Sequence, residues 1–367
     1  MSRIKSIEIN SLNEYISAIN DNKFNDFYFR GESKKYSSIS SSLLRKETSV
    51  LLNKGNFNFY ENIVNEYYSE IATNLNDFES KNFLAFSQHH GLTTNLIDFT
   101  TSPLIALFFA CQKIEKDTDG YIYLLDKEET IDMSGLINSL FYPPANDYNL
   151  MSMFERGINN VVSALAYNLD NFFQNNDIGP YKKDLFKICI DLQNNTGEKN
   201  QFYLNKCTEV LKDFNKIINP EIFNRLLFED SKLNLKNGQC NAMIIIFLNL
   251  LNEYFKTLNT ISLFSDCKFE IKFPNIPLFT YKTPYKFDRI RSQDGVFVYQ
   301  LYYVFGKEYE NVADSIIRQD VIPKYTIVVK NKEKILSELD FIGINLKTIY
   351  GDFDNIAKYI NSKNFSK

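Results

Sequence analysis

Four residues of this sequence have the types and settings that chemistry needs: Arg30, His89, Thr100 and Gln293. Arg30 follows three aromatics, Phe27-Tyr28-Phe29, and precedes Gly31. Consecutive aromatics favour a buried strand. An arginine at its end presents a rigid five-donor fork suited to phosphate or carboxylate, with Gly31 releasing the chain into a turn. A local ion pair with Glu32 is the plainer alternative. His89 and His90 are the only histidines and are neighbours. Imidazoles titrate near neutrality and move protons or donate at two angles, although a buried structural histidine is just as common an outcome. Thr100, Thr101 and Ser102 close a strand-like run and lead into Pro103. Ser102 suits a helix N-cap and Pro103 the first helical position. The hydroxyls then surround a helix N-terminus, whose free N–H groups and dipole favour an anion, unless they only cap it. Gln293 belongs to a polar knot with Arg289, Arg291 and Asp294, just before Gly295 and a strand of β-branched and aromatic residues. Such a knot lines a cleft or forms a solvated turn.

The elements around these residues decide whether they meet. Residues 95–99 are strand-like and apolar except for Asp98, residues 104–111 are apolar on every face and predict a buried helix, and residues 120–126 predict the next strand. Further strands are expected at 268–273, 295–303 and 325–329, with a closing helix near 352–361. Between them, amphipathic stretches at 149–174, 201–218 and 241–257 are helical, joined by loops at 194–197 and 234–238. The expected fold is α+β: a mixed β-sheet core from residues 1–127 and 263–367, and a helical insertion or cap lobe at 128–262. Its 367 residues, 44% hydrophobic and 15% aromatic, are enough for a large core.

Composition narrows the function classes. A net charge of −4 gives no basic excess for bulk electrostatic binding to nucleic acid. Five scattered cysteines without a C-x-x-C pair, and two adjacent histidines, argue against a metal centre and a disulfide scaffold. The most apolar run, 242–251, is half the length a membrane span needs, about 20 residues. No membrane association, no metal and a cytoplasmic, reducing setting are therefore expected.

These segments resemble the FRG-domain family, named for a strand-ending Phe/Tyr-Arg-Gly. Phe29-Arg30-Gly31 is similar to that motif, and Ser41-Ser42-Leu43-Leu44-Arg45 to its P-S-L-x-R continuation. Gln88-His89-His90-Gly91-Leu92-Thr93 with Leu96-Ile97-Asp98-Phe99-Thr100 resembles Q-H-x-G-x-x-T-R-L-L-D-W-T, and Pro103 to Ala110 continues it. Arg289 and Gln293-Asp294-Gly295-Val296-Phe297 resemble a late R-I-x-x-Q-x-G-x-F, and residues 349–354 a degraded L-F-P-D-L-D. Asn95, Phe99 and Gly351 stand where the pattern has arginine, tryptophan and proline. A fainter resemblance connects the order Arg30, Thr100-Thr101-Ser102 with Ala106 to Ala110, and Gln293 to the ADP-ribosyltransferase superfamily. It implies an ADP-ribosyltransferase-like fold and NAD as co-substrate. Arg30, Gly31, Thr101 and Ser102 would then hold NAD, with Arg30, His89, Thr100 and Gln293 catalytic. A protein or nucleic-acid target, as for a toxin or phage-defence effector, is the implied partner. Gln293 lacks the charge of those enzymes' carboxylate, which Asp294, Glu308 or Glu310 would have to supply. The alternative is a module that binds a nucleotide or peptide without chemistry.

Overall fold

The computed structural model describes residues 5–45, 58–112, 118–145, 147–181, 183–185, 187–188, 237–262, 271–284, 288–307 and 312–365. Among them an eight-stranded mixed sheet organises the chain, in the order β1-β10-β4-β2-β3-β7-β6-β5. The strands are β1 Lys5–Ile9, β2 Phe27–Glu32, β3 Leu96–Thr100, β4 Gly120–Asp126, β5 Thr130–Asp132, β6 Leu278–Tyr281, β7 Gly295–Tyr299 and β10 Tyr325–Val329. The edge pairs β1–β10 and β5–β6 are parallel, and the inner pairs antiparallel. A two-stranded antiparallel ribbon, β8 Tyr302–Lys307 and β9 Val312–Arg318, stands apart. The α+β class expected from the sequence is the one observed.

The sheet is not uniformly zipped. β2 pairs with β4 along six residues, Phe27 to Glu32, but with β3 through Phe29 and Thr100 alone. Beyond that pair β2 and β3 part, which divides the sheet into halves. On the face carrying Phe29 and Thr100, two hydrophobic clusters lie side by side. One joins Ile9, Phe29, Leu124 and Ile327 to the helices Leu12–Asp21, Pro103–Ala110 and Lys332–Phe341. The other joins Leu96, Phe297 and Tyr299 to the helices Phe59–Ile71, Phe83–His89, Leu150–Glu155, Asn159–Asn175 and Asn237–Ser262. The opposite face carries Tyr28, Ile97, Phe99, Tyr123 and Val298.

Several expectations meet this arrangement and some change. Residues 120–126 form β4 as expected, and the apolar run after Thr100 forms the buried helix Pro103–Ala110. β2 does not end at Arg30: it continues through Gly31 to Glu32, so Gly31 opens no turn. Its role is contact. A Cβ there would lie 1.9 Å from the Ala106 carbonyl oxygen and 2.8 Å from the Ala110 nitrogen, and one at Gly120 would lie 2.3 Å from the Ala110 oxygen. Two glycines on neighbouring strands thus let the helix rest directly on the sheet. The run 295–303 is two strands in two sheets, broken at Gln300 and Leu301. Residues 271–273 are not strand, and 268–270 lie outside the described residues. So do 194–197, 201–218, Glu308 and Glu310, whereas Asn237 and Gly238 belong to a helix and not to a loop. β5 lies within the stretch assigned to the insertion yet joins the sheet, so residue 127 is not the sheet's boundary. The described insertion helices share one hydrophobic cluster with the β3 half-sheet.

Candidate functional site

The parting of β2 from β3 opens a cavity of about 290 Å³, lined from both half-sheets. Its walls are apolar: Phe29, Phe99, Phe109, Ile290 and Phe297. Its polar groups are Arg30, Gln88, His89, Asp98, Thr100 and Gln293. An apolar-walled hollow of this size with a few converging polar groups is the usual form of a small-molecule site. Arg30, His89, Thr100 and Gln293, dispersed over more than half the sequence, are therefore neighbours.

Arg30 holds the parted strands in register. Its Nη1 donates to the Asp98 carbonyl oxygen at 2.7 Å, a β3 acceptor that β2 leaves unpaired. Its Nε donates to Glu32 Oε1 at 2.9 Å, and the two side chains are 14% and 9% exposed. The ion pair foreseen as the plainer role thus exists, and a strand-to-strand bond exists beside it. Two of the five guanidinium N–H donors are used in this way. Glu32 Oε2 is buried without a partner. That negative corner, after burial itself, helps push the neighbouring Tyr123 phenol up to about 12.

Thr100 is a hinge of hydrogen bonds. Its hydroxyl donates to the Gln293 carbonyl at 2.7 Å and accepts from the Ser102 N–H at 3.0 Å. Ser102 occupies the N-cap, but its own side chain makes no capping bond, and its backbone N–H is held by the Thr100 hydroxyl instead. Thr101 is exposed, and its N–H donates to the Asp294 carbonyl at 3.1 Å. Neither Thr101 nor Ser102 lines the cavity, and the helix contributes Phe109, from its last turn, rather than its N-terminus. Thr100→Val should therefore cost roughly 1–2 kcal/mol, because it leaves one donor and one acceptor unpaired where the two segments dock. Urea unfolding checks this, and a loss below about 0.5 kcal/mol would mean that the contact is dispensable.

Gln293 ends the Asp288–Ser292 helix, and Asp294 turns the chain into β7 with a left-handed φ of 45°. That conformation is tolerated by aspartate and suits the following Gly295. The Gln293 Nε2 donates to the Ile349 carbonyl at 3.3 Å, and Ser292 Oγ donates to the same oxygen at 2.7 Å. The late segment near 349 thereby fixes the amide at the cavity. Asp294 points elsewhere: it is exposed and outside the lining. Arg291 is exposed as well.

The carboxylate at the cavity is Asp98, a residue the sequence marked only as the one acid of an apolar strand. Gln88 Nε2 donates to Asp98 Oδ1 at 2.8 Å, and Gln88 Oε1 accepts from the Thr94 hydroxyl. Gln88 is thus oriented on one side by Thr94 and spends its donor on the acid, leaving Asp98 Oδ2 outside that bond. Both residues had a signal available: Gln88 opens the Q-H-H run, and Asp98 alternates with buried Ile97 and Phe99. His89 lines the cavity from the last turn of the Phe83–His89 helix. His90 is exposed, its ring 4.3 Å from Phe86 and 4.8 Å from His89, edge to face. Asn95 is fully buried and donates to the Gln300 carbonyl at 3.2 Å, a structural post away from the cavity.

The chemistry open to this cavity is bounded by what it holds. Burial pushes the Cys111 thiol up to about 12, so it stays protonated and makes no nucleophile. Among the described residues no group of three or more His, Cys, Asp or Glu side chains is placed to hold a metal ion. No helix among them is long and apolar enough to cross a membrane. No curated protein and no solved structure matches the chain. The family model for the FRG domain matches residues 25–119, which supply β2, the Phe83–His89 helix, β3 and the Pro103–Ala110 helix. Nine of the cavity residues lie inside that range, from Phe29 to Phe109, and Ile290, Gln293 and Phe297 close it from outside. Residues 25–119 thus match the FRG domain, and most of the cavity lining comes from that matched range.

Proposed function

We propose that the chain is an NAD-consuming, ADP-ribosyltransferase-like enzyme, with the parting of β2 and β3 as its nicotinamide-ribose site. The observation that carries the reading is Asp98: a carboxylate held by Gln88 on the lining of an aromatic-walled cavity, itself exposed to solvent, at the fork marked by Arg30. A strand-borne arginine beside the ligand is what the superfamily resemblance implies. Charge favours one end of the ligand. Arg30 and Glu32 cancel, so Asp98 leaves the cavity with an excess negative charge. Such a site suits the cationic nicotinamide ring and its ribose better than the diphosphate, which the remaining Arg30 donors would meet at the rim.

In this reading Asp98, and not Gln293, is the acid. Its charge stabilises the positive charge that develops at the ribose carbon as the glycosidic bond breaks and the electron pair leaves with neutral nicotinamide. Gln293 and Thr100 shape the wall beside the aromatic side chains. His89 is placed to take the proton of an incoming hydroxyl or amine, the acceptor being water or a macromolecular target. A volume of about 290 Å³ accommodates one nucleoside-sized half of a dinucleotide, with the other half outside.

The second reading is a binding module without turnover, favoured by the neutral amide of Gln293 and by the engagement of Arg30 with Glu32. Calorimetric titration separates ligands first. NAD and nicotinamide mononucleotide should bind, and Phe297→Ala should weaken both at least tenfold by removing a wall. ADP-ribose binding as tightly as NAD, with no effect of Phe297→Ala, would remove nicotinamide from the cavity and the proposal with it.

A further inference from the structure

A second polar enclosure lies away from the cleft, under the Phe59–Ile71 helix. It is a small hollow lined by Glu61, Asp147, Asn149, Ser152, Arg156 and Tyr302, among others. Glu61 and Asp147 are 7% and 6% exposed, and they lie within hydrogen-bonding reach of each other. Asp147 is well supplied as a carboxylate. Arg156 donates to its Oδ2, and the Asn149 N–H to its Oδ1 at 2.6 Å. Glu61 is not. Its Oε1 accepts from the Tyr148 N–H at 3.3 Å, and its Oε2 is buried with no hydrogen-bond partner.

Two buried carboxylates and one guanidinium leave one negative charge uncompensated, which a low-dielectric interior penalises heavily. A proton on Glu61 removes that charge and turns the orphan oxygen into a donor to Asp147. A metal cation is the poorer solution, because the Arg156 guanidinium already occupies one face of Asp147. The other groups facing the pair are the phenols of Tyr60, Tyr148, Tyr299 and Tyr302, all held protonated by burial, and Glu155 at the cavity wall.

We propose that Glu61 and Asp147 share one proton, which latches the Phe59–Ile71 helix to the segment leading into the Leu150–Glu155 helix, and that its loss loosens this corner of the fold. The latch is continuous with the sheet, because the Tyr299 hydroxyl on β7 donates to the Tyr148 carbonyl at 2.8 Å. Burial, and next the nearby Asp147, push the Glu61 carboxyl from its ordinary 4.5 up to about 7. The folded chain therefore binds a proton that the unfolded chain has released between those two values. The stabilisation is complete below about pH 4.5, fades as pH rises through about 7, and does not change further above that.

The full chain and its Glu61→Gln variant test this, since glutamine keeps the Oε1 acceptor and offers a permanent donor to Asp147. Urea unfolding should give a wild-type to variant ratio of unfolding constants that rises about a hundredfold between pH 4.5 and 8. A ratio constant over that range would overturn the proposal. Carbon-detected NMR of the wild-type carboxyl groups, with the Glu61 signal assigned by its loss in the variant, should show a midpoint near 7. A midpoint in the ordinary glutamate range would overturn it. So would saturable stabilisation of the wild type, but not the variant, by calcium chloride at pH 8, which would make the hollow a cation site.

Discussion

Gly31→Ala is expected to destabilise the fold by more than about 3 kcal/mol, above the usual cost of one added methyl in a packed core. The new Cβ would sit 1.9 Å from the Ala106 carbonyl oxygen and 2.8 Å from the Ala110 nitrogen. Both obstacles are helix backbone, so no side chain can swing aside. The helix would have to lift, and Leu107 and Ala110 with it, although both are fully buried. Gly120 rests under the same helix end, so lifting breaks a second contact. Urea unfolding of the two proteins measures the effect. A loss under about 1 kcal/mol would mean that the helix adjusts easily and that Gly31 is not held for packing.

Arg30→Ala should be nearly as damaging, by a different route. It leaves the Glu32 carboxylate, 9% exposed, without its cation, and the Asp98 carbonyl without its donor. Breaking one side of a buried pair costs about 3–5 kcal/mol, whereas removing both sides restores most of it. The double variant Arg30→Met with Glu32→Gln should therefore recover at least half of the stability lost in Arg30→Ala. It should still bind NAD at least tenfold more weakly than the wild type, because the free guanidinium donors are gone. Recovery of stability together with wild-type affinity would reduce Arg30 to a strut between strands.

Much of the site was legible because its motifs lie in or beside strong strand patterns. Arg30, Thr100 and Gln293 follow or precede strong β patterns, and strand ends in such sheets gather at one edge. What a single strand pattern cannot express is where two strands separate. The parting of β2 from β3 is a tertiary fact, and so are the contacts that decide the roles of Gly31, Asp98, Thr101 and Ser102. Gly31 looked like a turn because the helix that needs its missing Cβ comes about 75 residues later in the chain. Asp98 looked incidental because its importance comes from its bond to the Gln88 amide, ten residues earlier in the chain. Thr101 and Ser102 share the strand end with Thr100, but only Thr100 lines the cavity, its hydroxyl tied to the Gln293 carbonyl and the Ser102 N–H. The broken strand after Tyr299 has a local cause. Gln300 is buried, and its amide accepts from the Ser41 N–H and donates to the Gln319 carbonyl, so the chain leaves one sheet there and enters another. β5 escaped notice because three residues carry too little pattern. The helical stretches expected at 149–174 and 241–257 were visible from their periodicity; the first is two helices, Leu150–Glu155 and Asn159–Asn175, and the second part of Asn237–Ser262.

The central claim is that Asp98 is the acid of an NAD-cleaving site, and release of free nicotinamide tests it most directly. Purified wild type, Asp98→Asn and Gln293→Glu would be incubated with NAD, after circular dichroism has shown the three to be folded alike. The account predicts slow but measurable release by the wild type and a loss of at least a hundredfold in Asp98→Asn, the scale on which losing a preorganised electrostatic group acts. Gln293→Glu should change the rate less than tenfold, because the acid's place is already filled. Release unaffected by Asp98→Asn, or absent from the wild type in the presence of saturating NAD, would contradict it.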